Sequence, residues 1–409
     1  MHATIPLILN IVLLTLFFKK RSPFFAFYGA LLLVFSIPHL YHSVSQSLDF
    51  PNSVYWTTTI HAVVFFSTTL LTTLAVWRGR FPSRIFDPLN VDKKTLTRTY
   101  YLSLLFWVIF LFLILAAVDF HLMELIYSSW NDFRSSESRL KLIGLFFSFP
   151  GAAFVLVAIK KRSTGLAQVV VILLLGFIIL GLKIRSPVVI LFVPVLIHTI
   201  LFRSWNFRRI VLFVILLSLF FSAYSLTRSV RHTNVTGFTE AAEAGDVELD
   251  RGEFELIESF YYIVKKNGLS NDIEFPNFVR LLLLPIPSSI IPFNKPTETS
   301  LVLWNEKTGI INVFGSLHPT AVGDAVANSY YFGAFVYGLL YTLIFHLLDS
   351  VYVKLRASRI FIFSILTVVS FYWARGAFYN GVIYLISSVL IIWLSMIVLK
   401  ITGKRMYND

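Results

Sequence analysis

Long apolar runs constrain the fold of this chain more than any other feature. Runs of about 20 apolar residues, the length with which a helix crosses a hydrocarbon core, recur from one end of the sequence to the other. Hydrophobic residues make up 56% of the chain and charged residues only 14%, whereas soluble domains carry about 25% charged residues. Because a backbone in lipid must satisfy its own hydrogen bonds, helices are the expected elements. The sequence predicts an all-α integral membrane protein.

The apolar runs predict about 11 transmembrane helices. They are Thr4–Phe18, Pro23–Tyr41, Val54–Trp77, Tyr100–Val118, Leu142–Ile159, Leu166–Leu182, Pro187–Phe202, Ile210–Leu226, Tyr331–Leu348, Ile360–Trp373 and Gly381–Leu399. These spans divide the chain into three parts. They are an N-terminal membrane region of about eight spans (1–226), a long loop (227–330) and a C-terminal membrane region of about three spans (331–409).

The basic residues predict the orientation of the chain. Lys19, Lys20 and Arg21 follow the first span, which is the reverse of the order in a cleavable signal peptide. With the N-terminus outside, most of the 35 Lys and Arg residues lie in inner loops, and most of the 22 Asp and Glu residues lie outside. Since an odd number of spans separates the termini, the prediction is an N-terminus on the outer side of the membrane and a C-terminus in the cytoplasm.

Composition and motifs argue against several kinds of site. Cysteine is absent, so the chain forms no disulfide and no thiolate metal site. No H-E-x-x-H motif and no G-x-x-x-x-G-K-[ST] nucleotide signature occurs. The formal charge of +13 follows from basic inner loops and does not indicate nucleic acid. We therefore expect no metal, no cofactor and no nucleic-acid partner.

A second group of basic residues faces outward on this topology, against the general trend. Two of them occupy the short turn in "LGLKIRSPVVILF" between adjacent spans. The whole group is Lys183, Arg185, Arg228, Arg231, Arg280, Lys295 and Arg375. Ionisable side chains near membrane depth are costly and are candidates for function. Snorkelling to outer headgroups, or pairing with an outer carboxylate, is the alternative interpretation of each one.

The long loop has three parts with different patterns. The acidic stretch "TGFTEAAEAGDVELDRG" is typical of a solvated linker, because it lacks the spacing of a calcium loop. The stretch "EFELIESFYYIVKKNG" predicts an amphipathic helix that ends at Asn267-Gly268. Its apolar stripe is Phe254, Ile257, Tyr261 and Val264. This helix either covers a site like a lid or packs on the spans.

The third part of the loop, "NFVRLLLLPIPSSIIPFNKP", is apolar but interrupted by prolines. The run is too short to cross a bilayer, and Pro285, Pro287 and Pro292 break any helix through it. It predicts a re-entrant or interfacial segment, with Arg280 and Lys295 on either side.

Two motifs carry a resemblance to a known family. The segment "PIPSSIIPFNKP" is similar to the pattern P-x-S-I-x-P-x-K-P through Pro287, Ser289, Ile290, Pro292, Lys295 and Pro296, with one residue more between Pro292 and Lys295. The segment "HPTAVGDAVANSYYFGAFVYG" is similar to a pattern of Pro, a Gly-Glu pair, Asn and an Asn-Phe-Gly-like end that enters a span. With many spans and one long outer loop, the chain resembles bacterial oligosaccharide repeat unit polymerases, the O-antigen polymerase (Wzy) family.

The chain departs from that family at three places. Ser288 stands where an Arg is common, and Asp324 stands where a Glu is common. Asn328 lies several residues before Phe332-Gly333 and not next to them. These departures concern residues to which the family pattern would assign roles.

The resemblance implies an activity, a fold and partners. It implies an all-helical glycosyltransferase of the GT-C kind in the bacterial inner membrane. The enzyme would polymerise undecaprenyl-diphosphate-linked repeat units into O-antigen or a related surface polysaccharide on the periplasmic face, without a metal. The implied partners are lipid-linked glycans as donor and acceptor, membrane lipids and a regulator of chain length.

Two chemical roles follow for the residues of this chain. A departing diphosphate needs fixed positive partners, for which Arg suits well, so the outward cations are diphosphate candidates. Of these, Arg185, Arg280 and Arg375 come first because they lie within or beside apolar runs. The acceptor hydroxyl needs a base. Asp324 is the first candidate because it matches the acidic position of the family, followed by His318 and then His232.

Two other functions remain open from the sequence. An O-antigen ligase would share the spans, the outer loop and the lipid diphosphate donor but use a lipid A core acceptor. A lipid-linked oligosaccharide flippase would be a transporter, although the sequence lacks the internal repeat that transporters often show.

Overall fold

The computed structural model describes residues 2–77, 85–121, 139–161, 185–203, 255–269, 273–287, 289–309, 317–355 and 358–405. All regular secondary structure in these ranges is helical. We number the helices as α1 Thr4–Lys20, α2 Phe25–Leu31, α3 Ile37–Ser45, α4 Asn52–Val76, α5 Lys93–Ala116, α6 Arg139–Gly151, α7 Ala153–Lys161, α8 Arg185–Phe202, α9 Glu255–Lys265, α10 Pro276–Leu283, α11 Thr299–Thr308, α12 Thr320–Lys354, α13 Arg359–Arg375 and α14 Phe378–Arg405. A π-helical segment, Leu32–Ser36, joins α2 to α3.

Four helical segments of the described chain are long and apolar enough to cross a membrane. They are Phe25–Ser45, Asn52–Val76, Lys93–Ala116 and Thr320–Lys354. Shorter apolar helices cover Ile143–Ala158, Val189–Phe202 and Phe378–Trp393. The chain is therefore a helical membrane protein, as predicted, and the total of about 11 spans stays a prediction. The predicted spans Leu166–Leu182 and Ile210–Leu226 lie outside the described residues.

The chain forms two compact units. The first comprises Met1–Ile85, Leu249–Lys354 and Val369–Ile383, and the second comprises Phe86–Glu248, Leu355–Val368 and Tyr384–Asp409. The division predicted from the sequence, into two membrane regions and a loop, describes topology and stays a prediction.

In the second unit an aromatic and aliphatic cluster joins α5 to α7 and α8. Trp107, Phe110 and Ile114 of α5 are buried against Phe154 and Leu191. The indole N–H of Trp107 donates to the carbonyl oxygen of Gly151 over 2.5 Å. The predicted span Leu142–Ile159 is thus divided here into α6 and α7, beside Pro150.

Ring contacts give the helix directions in the first unit. His2 stacks on Trp56 at 3.9 Å near the starts of α1 and α4. Phe17 lies 6.0 Å from Trp77 at their far ends. Helices α1 and α4 are therefore parallel. We call the end at which they begin the first end of the unit, and the end at which they finish the second end.

Helix α12 runs alongside α4 in the same direction. Tyr331 stacks on His61 at 4.1 Å, and further along both helices His346 lies 5.8 Å from Trp77. The segment α2–α3 runs the opposite way, since Phe24 contacts Phe345 at 4.1 Å whereas Phe35 contacts Phe66 at 6.2 Å. These directions agree with the alternation expected of the predicted spans.

Helix α12 is interrupted near its start. Its 35 residues would extend for about 50 Å as one helix, well beyond a hydrocarbon core of about 30 Å. Ser329 and Tyr330 have non-helical backbone angles, with Tyr330 at φ 47°. A Cβ on Gly333 would lie 1.9 Å from the carbonyl oxygen of Ala325. In a continuous helix, Ala325 and Gly333 would be about 12 Å apart, so the chain folds back at this break. The break divides the helix into α12a (320–328) and α12b (331–354).

Helix α9 confirms the predicted amphipathic helix and packs into the first unit. Ile257, Phe260 and Tyr261 are fully buried, and the Tyr261 hydroxyl lies 2.8 Å from Nδ1 of His39. The helix ends as the sequence predicts, with Asn267 at φ 57° and the N–H of Gly268 donating to Ile263. Of the two interpretations, packing on the spans is the one observed. The predicted stripe residue Phe254 lies outside the described residues.

Candidate functional site

The turn between α13 and α14, residues 375–379, is where several predicted site residues meet. We call this segment the RGAFY turn. It lies near the middle of α12b, slightly toward the first end, because the Phe378 ring contacts Tyr337 at 5.8 Å and Tyr341 at 5.5 Å. His318 packs against it, since a Cβ on Gly376 would lie 3.1 Å from Nδ1 of that imidazole. His318 itself is half-buried.

Asp324 also contacts the RGAFY turn, but not from the position that the sequence suggests. The sequence placed it just before a span and facing outward; in the structure it lies inside α12a with 0% exposure. Its Oδ2 accepts from the backbone N–H of Phe378 at 2.9 Å. Its Oδ1 accepts from the side-chain amides of Asn277 at 2.6 Å and Asn328 at 3.2 Å. Its assignment as the base stays a prediction.

The starts of three helices converge on this carboxylate. Phe378 is the first residue of α14, Asn277 is the second residue of α10, and Thr299 is the first residue of α11. The Asn277 amide donates to the Thr299 hydroxyl at 2.9 Å, and the Asn277 backbone N–H donates to Asn328 Oδ1 at 3.2 Å. Helix N-termini favour negative charge, so the arrangement suits an aspartate. We call Asn277, Thr299, Asp324, Asn328 and the Phe378 N–H the polar clasp.

Arg280 lies one helical turn after Asn277 on α10. Its guanidinium carbon is 5.1 Å from the centre of the Tyr379 ring, which belongs to the RGAFY turn. One terminal nitrogen donates to the carbonyl oxygen of Pro296 at 2.6 Å. Its Nε is buried and has no hydrogen-bond partner among the described residues. The guanidinium is thus fixed on two sides and keeps an unused donor.

Lys295 shapes the proline-rich loop beside Arg280. Its ammonium group donates to the carbonyl oxygen of Ile286 at 2.8 Å, which ties the two arms of the loop together. Large apolar side chains of this segment point outward: Leu282 is 76% exposed, Ile290 70% and Phe293 54%. An exposed apolar surface of this kind marks a site that contacts lipid or a ligand.

The structure brings together five of the predicted site residues. Arg375, at the end of α13, begins the RGAFY turn and is half-buried. With it, the first unit holds Asp324, His318, Arg280 and Lys295 around the turn or in the adjoining loop. Arg185 begins α8 in the second unit, and its side chain is outside the described part. The other candidates, Lys183, Arg228, Arg231 and His232, lie outside the described residues.

Sequence reasoning missed Asn277, Thr299 and Tyr379. Pro276 at the first turn of α10 signals a helix start, and an amide directly after it was a usable sign of a polar contact there. Tyr379 gives no such sign, because an aromatic residue at the end of an apolar run is ordinary in a membrane protein.

In the parts of the chain that the structure describes, no group of three or more His, Asp or Glu side chains could hold a metal ion. No protein-family model, curated protein or solved structure matches this chain.

Proposed function

We propose that this protein is a membrane glycosyltransferase that polymerises undecaprenyl-diphosphate-linked oligosaccharide repeat units into a surface polysaccharide. One observation carries the proposal. Arg280, Arg375 and Lys295 gather at or beside the RGAFY turn, and an exposed apolar loop adjoins them. A ligand that suits both features has an anionic head and a long apolar tail, as a polyprenyl diphosphate does.

The cations suit the leaving group of such a reaction. The acceptor hydroxyl oxygen forms a bond to the anomeric carbon of the donor while the bond from that carbon to the diphosphate breaks. The diphosphate departs with the bonding electrons, and fixed cations stabilise the charge that it gains. The half-buried Arg280 side chain has a planar guanidinium, which fits phosphate oxygens.

The apolar loop suits the lipid tail. Leu282, Ile290 and Phe293 expose more than half of their surface, and burial against a polyprenyl chain would contribute about 25 cal/mol per Å² of apolar area. Lys295 joins this surface to the cationic one because it lies next to Pro296, whose carbonyl binds Arg280.

The charges of the first unit favour the periplasmic side for this site. Lys19, Lys20 and Arg21 end α1, and Lys354 ends α12, all at the second end of the unit. Basic residues are retained on the cytoplasmic side. The RGAFY turn lies toward the opposite end, where lipid-linked repeat units are polymerised in the proposed reaction.

His318 is the base that the geometry favours. Its half-buried imidazole lies against Gly376, one residue from Arg375, whereas the carboxylate of Asp324 is enclosed by three N–H donors. In the proposed step the imidazole accepts the proton of the acceptor hydroxyl.

Purified protein in detergent or nanodiscs, supplied with the lipid-linked repeat unit, tests the proposal. We expect a ladder of products, and we expect Arg280→Ala and Arg375→Ala to reduce its formation by about 100-fold or more, as loss of a transition-state donor does. Lys266→Ala is the matched control, since Lys266 is an exposed cation just after the end of α9, where it contacts the Tyr262 ring and not the RGAFY turn. Wild-type protein that forms no ladder contradicts the proposal.

The same reaction separates the alternatives. A ligase would transfer the glycan only when a lipid A core acceptor is present, and would form no ladder from repeat units alone. A flippase would move the lipid-linked unit across a vesicle membrane without lengthening it.

A further inference from the structure

We propose that Asp324 is a positioning residue, and that its hydrogen bond with Asn277 sets the spacing between Arg280 and Arg375. This inference rests on the proposed function, because it concerns how the diphosphate is held. It assigns roles to Asn277, Thr299 and Asn328, none of which was among the catalytic or diphosphate-binding candidates.

The two cations are attached to the polar clasp from opposite sides. Arg280 follows Asn277 by one turn on α10, and the Asn277 amide donates to Asp324 Oδ1 at 2.6 Å. Arg375 precedes Phe378 by three residues, and the Phe378 N–H donates to Asp324 Oδ2 at 2.9 Å. One carboxylate therefore joins the start of α10 to the start of α14. The carboxylate therefore helps to set the distance between the two cations, together with the ring contact of Phe278 with Phe378 at 5.2 Å and the contact of Arg280 with the Tyr379 ring.

The N–H contacts of the carboxylate require it to act as an acceptor, whereas its hydroxyl partners, Thr299 and Tyr337, can either donate or accept. Both of its oxygens accept from N–H groups that cannot reverse their role, since backbone N–H and amide NH₂ groups are donors only. With 0% exposure, the carboxylate in this arrangement is closed to a sugar hydroxyl. These bonds fit a residue that holds others in place better than a base that contacts substrate.

The donor and acceptor pattern predicts a specific rescue. Asp324→Asn replaces one carboxylate oxygen with an NH₂ group. If the remaining oxygen keeps its hydrogen bond with the Phe378 N–H, the new NH₂ group faces the NH₂ group of Asn277. Two donors then oppose each other and no hydrogen bond forms between them. Asn277→Asp alone brings two carboxylates together. The double variant Asn277→Asp/Asp324→Asn restores the bond between these two residues, because the new amide donates to the new carboxylate and still accepts from Phe378. The Asn328 amide loses its 3.2 Å bond to residue 324 but keeps its 2.6 Å bond to the backbone carbonyl of that residue. The Thr299 hydroxyl can turn to donate to the new carboxylate.

The test measures binding of undecaprenyl diphosphate in detergent micelles to the folded fraction of each purified full-length variant, together with its melting midpoint. We expect each single substitution to weaken binding by about tenfold or more, and the double variant to return within about threefold of wild type. A clasp with a merely structural role would lower the melting midpoints of the single variants but leave the affinity of their folded fraction unchanged. The double variant should also regain ladder formation, which a catalytic base at Asp324 would not permit.

Several outcomes would overturn the inference. Single variants that bind like wild type show that Asp324 does not position the cations. A double variant that stays as weak as the single ones shows that the carboxylate acts by itself. If neither single variant folds, the inference requires that the double variant folds and binds the lipid. A double variant that also fails to fold would contradict the inference. Wild-type protein that does not bind the lipid contradicts the proposed function instead.

Discussion

At Gly338, helix α12b lies very close to the backbone of α4. A Cβ at Gly338 would lie 2.7 Å from the carbonyl oxygen of Phe65 and 3.1 Å from the Thr68 side chain. The Thr342 hydroxyl bonds to the Gly338 carbonyl at 2.8 Å within the same crossing. Small residues and hydroxyl groups of this kind allow helices to pack closely in a membrane.

We expect Gly338→Ala to destabilise the protein by about 1–3 kcal/mol, because the added methyl group meets backbone that cannot move cheaply. The melting midpoint in detergent measures the effect. Gly29→Ala is the control: a Cβ there would find its nearest neighbour, Leu14 Cδ1, at 3.8 Å. Equal melting midpoints for the two variants would contradict the close approach.

The ion pair between Lys20 and Asp349 is the other residue-level feature with a clear energetic consequence. Their charged atoms are 2.5 Å apart, and the side chains are 7% and 4% exposed. Ser22 donates a further hydrogen bond to Asp349 at 2.9 Å. Because a buried charge left without its partner is strongly unfavourable, we expect Asp349→Ala to cost about 3–5 kcal/mol.

A double-mutant cycle with Lys20→Met and Asp349→Leu measures this coupling by unfolding in detergent. We expect the double variant to be more stable than either single one, since it removes both charges together. Additive losses from the two substitutions would mean that the pair is not coupled.

At the level of elements, the break in α12 decides where the site residues lie. A continuous helix would carry Asp324 about 10 Å farther along the axis from Tyr331, away from the RGAFY turn. The fold-back instead returns α12a beside α12b, where Gly333 touches the Ala325 carbonyl. His61 packs against both Tyr330 and Tyr331 at this point, with ring centres 4.4 and 4.1 Å apart.

We expect Gly333→Ala to prevent this fold-back, because its Cβ would overlap a backbone oxygen. The variant should lose ladder formation and bind undecaprenyl diphosphate at least about tenfold more weakly, as the polar clasp no longer closes. Gly268→Ala serves as the comparison, since nothing lies within 4 Å of a Cβ there and only its φ of +119° is strained. A fully active Gly333→Ala protein would contradict the described path of the chain.

Some elements followed from the sequence and others did not. The end of α9 at Asn267-Gly268 was predictable because turn residues act locally. The length of the segment 52–76 was likewise evident from its apolar run. The break at Tyr330 was not, since no proline or glycine occupies that position and a tyrosine there gives no local signal of a positive φ.

At the level of the whole molecule, the relative helix directions give a test of topology. Helices α1, α4 and α12b are parallel, so the first end, where α4 begins, and the basic end near Lys19 and Lys354 should lie on opposite sides of the membrane. The chain has no cysteine, so single cysteines can be introduced without any background.

We expect Ser53→Cys to react with a membrane-impermeant maleimide in intact cells with a permeabilised outer membrane, because Ser53 is exposed near the start of α4, at the first end. Lys354→Cys should react only after lysis, since basic ends stay in the cytoplasm. Labelling of both before lysis, or of Lys354→Cys alone, would place the RGAFY turn on the wrong side for the proposed reaction.

The helical membrane character of this protein follows from its sequence alone, because apolar length and the hydrogen-bonding demands of the backbone in lipid act on each segment separately. The sequence also indicated Arg280, Arg375, His318 and Asp324 as candidates. Their meeting at one turn, and the enclosure of the Asp324 carboxylate by Asn277, Asn328 and Phe378, became evident from the packed helices. Contacts between positions some 50 residues apart depend on how helices pack and fold back, and no local pattern encodes that packing.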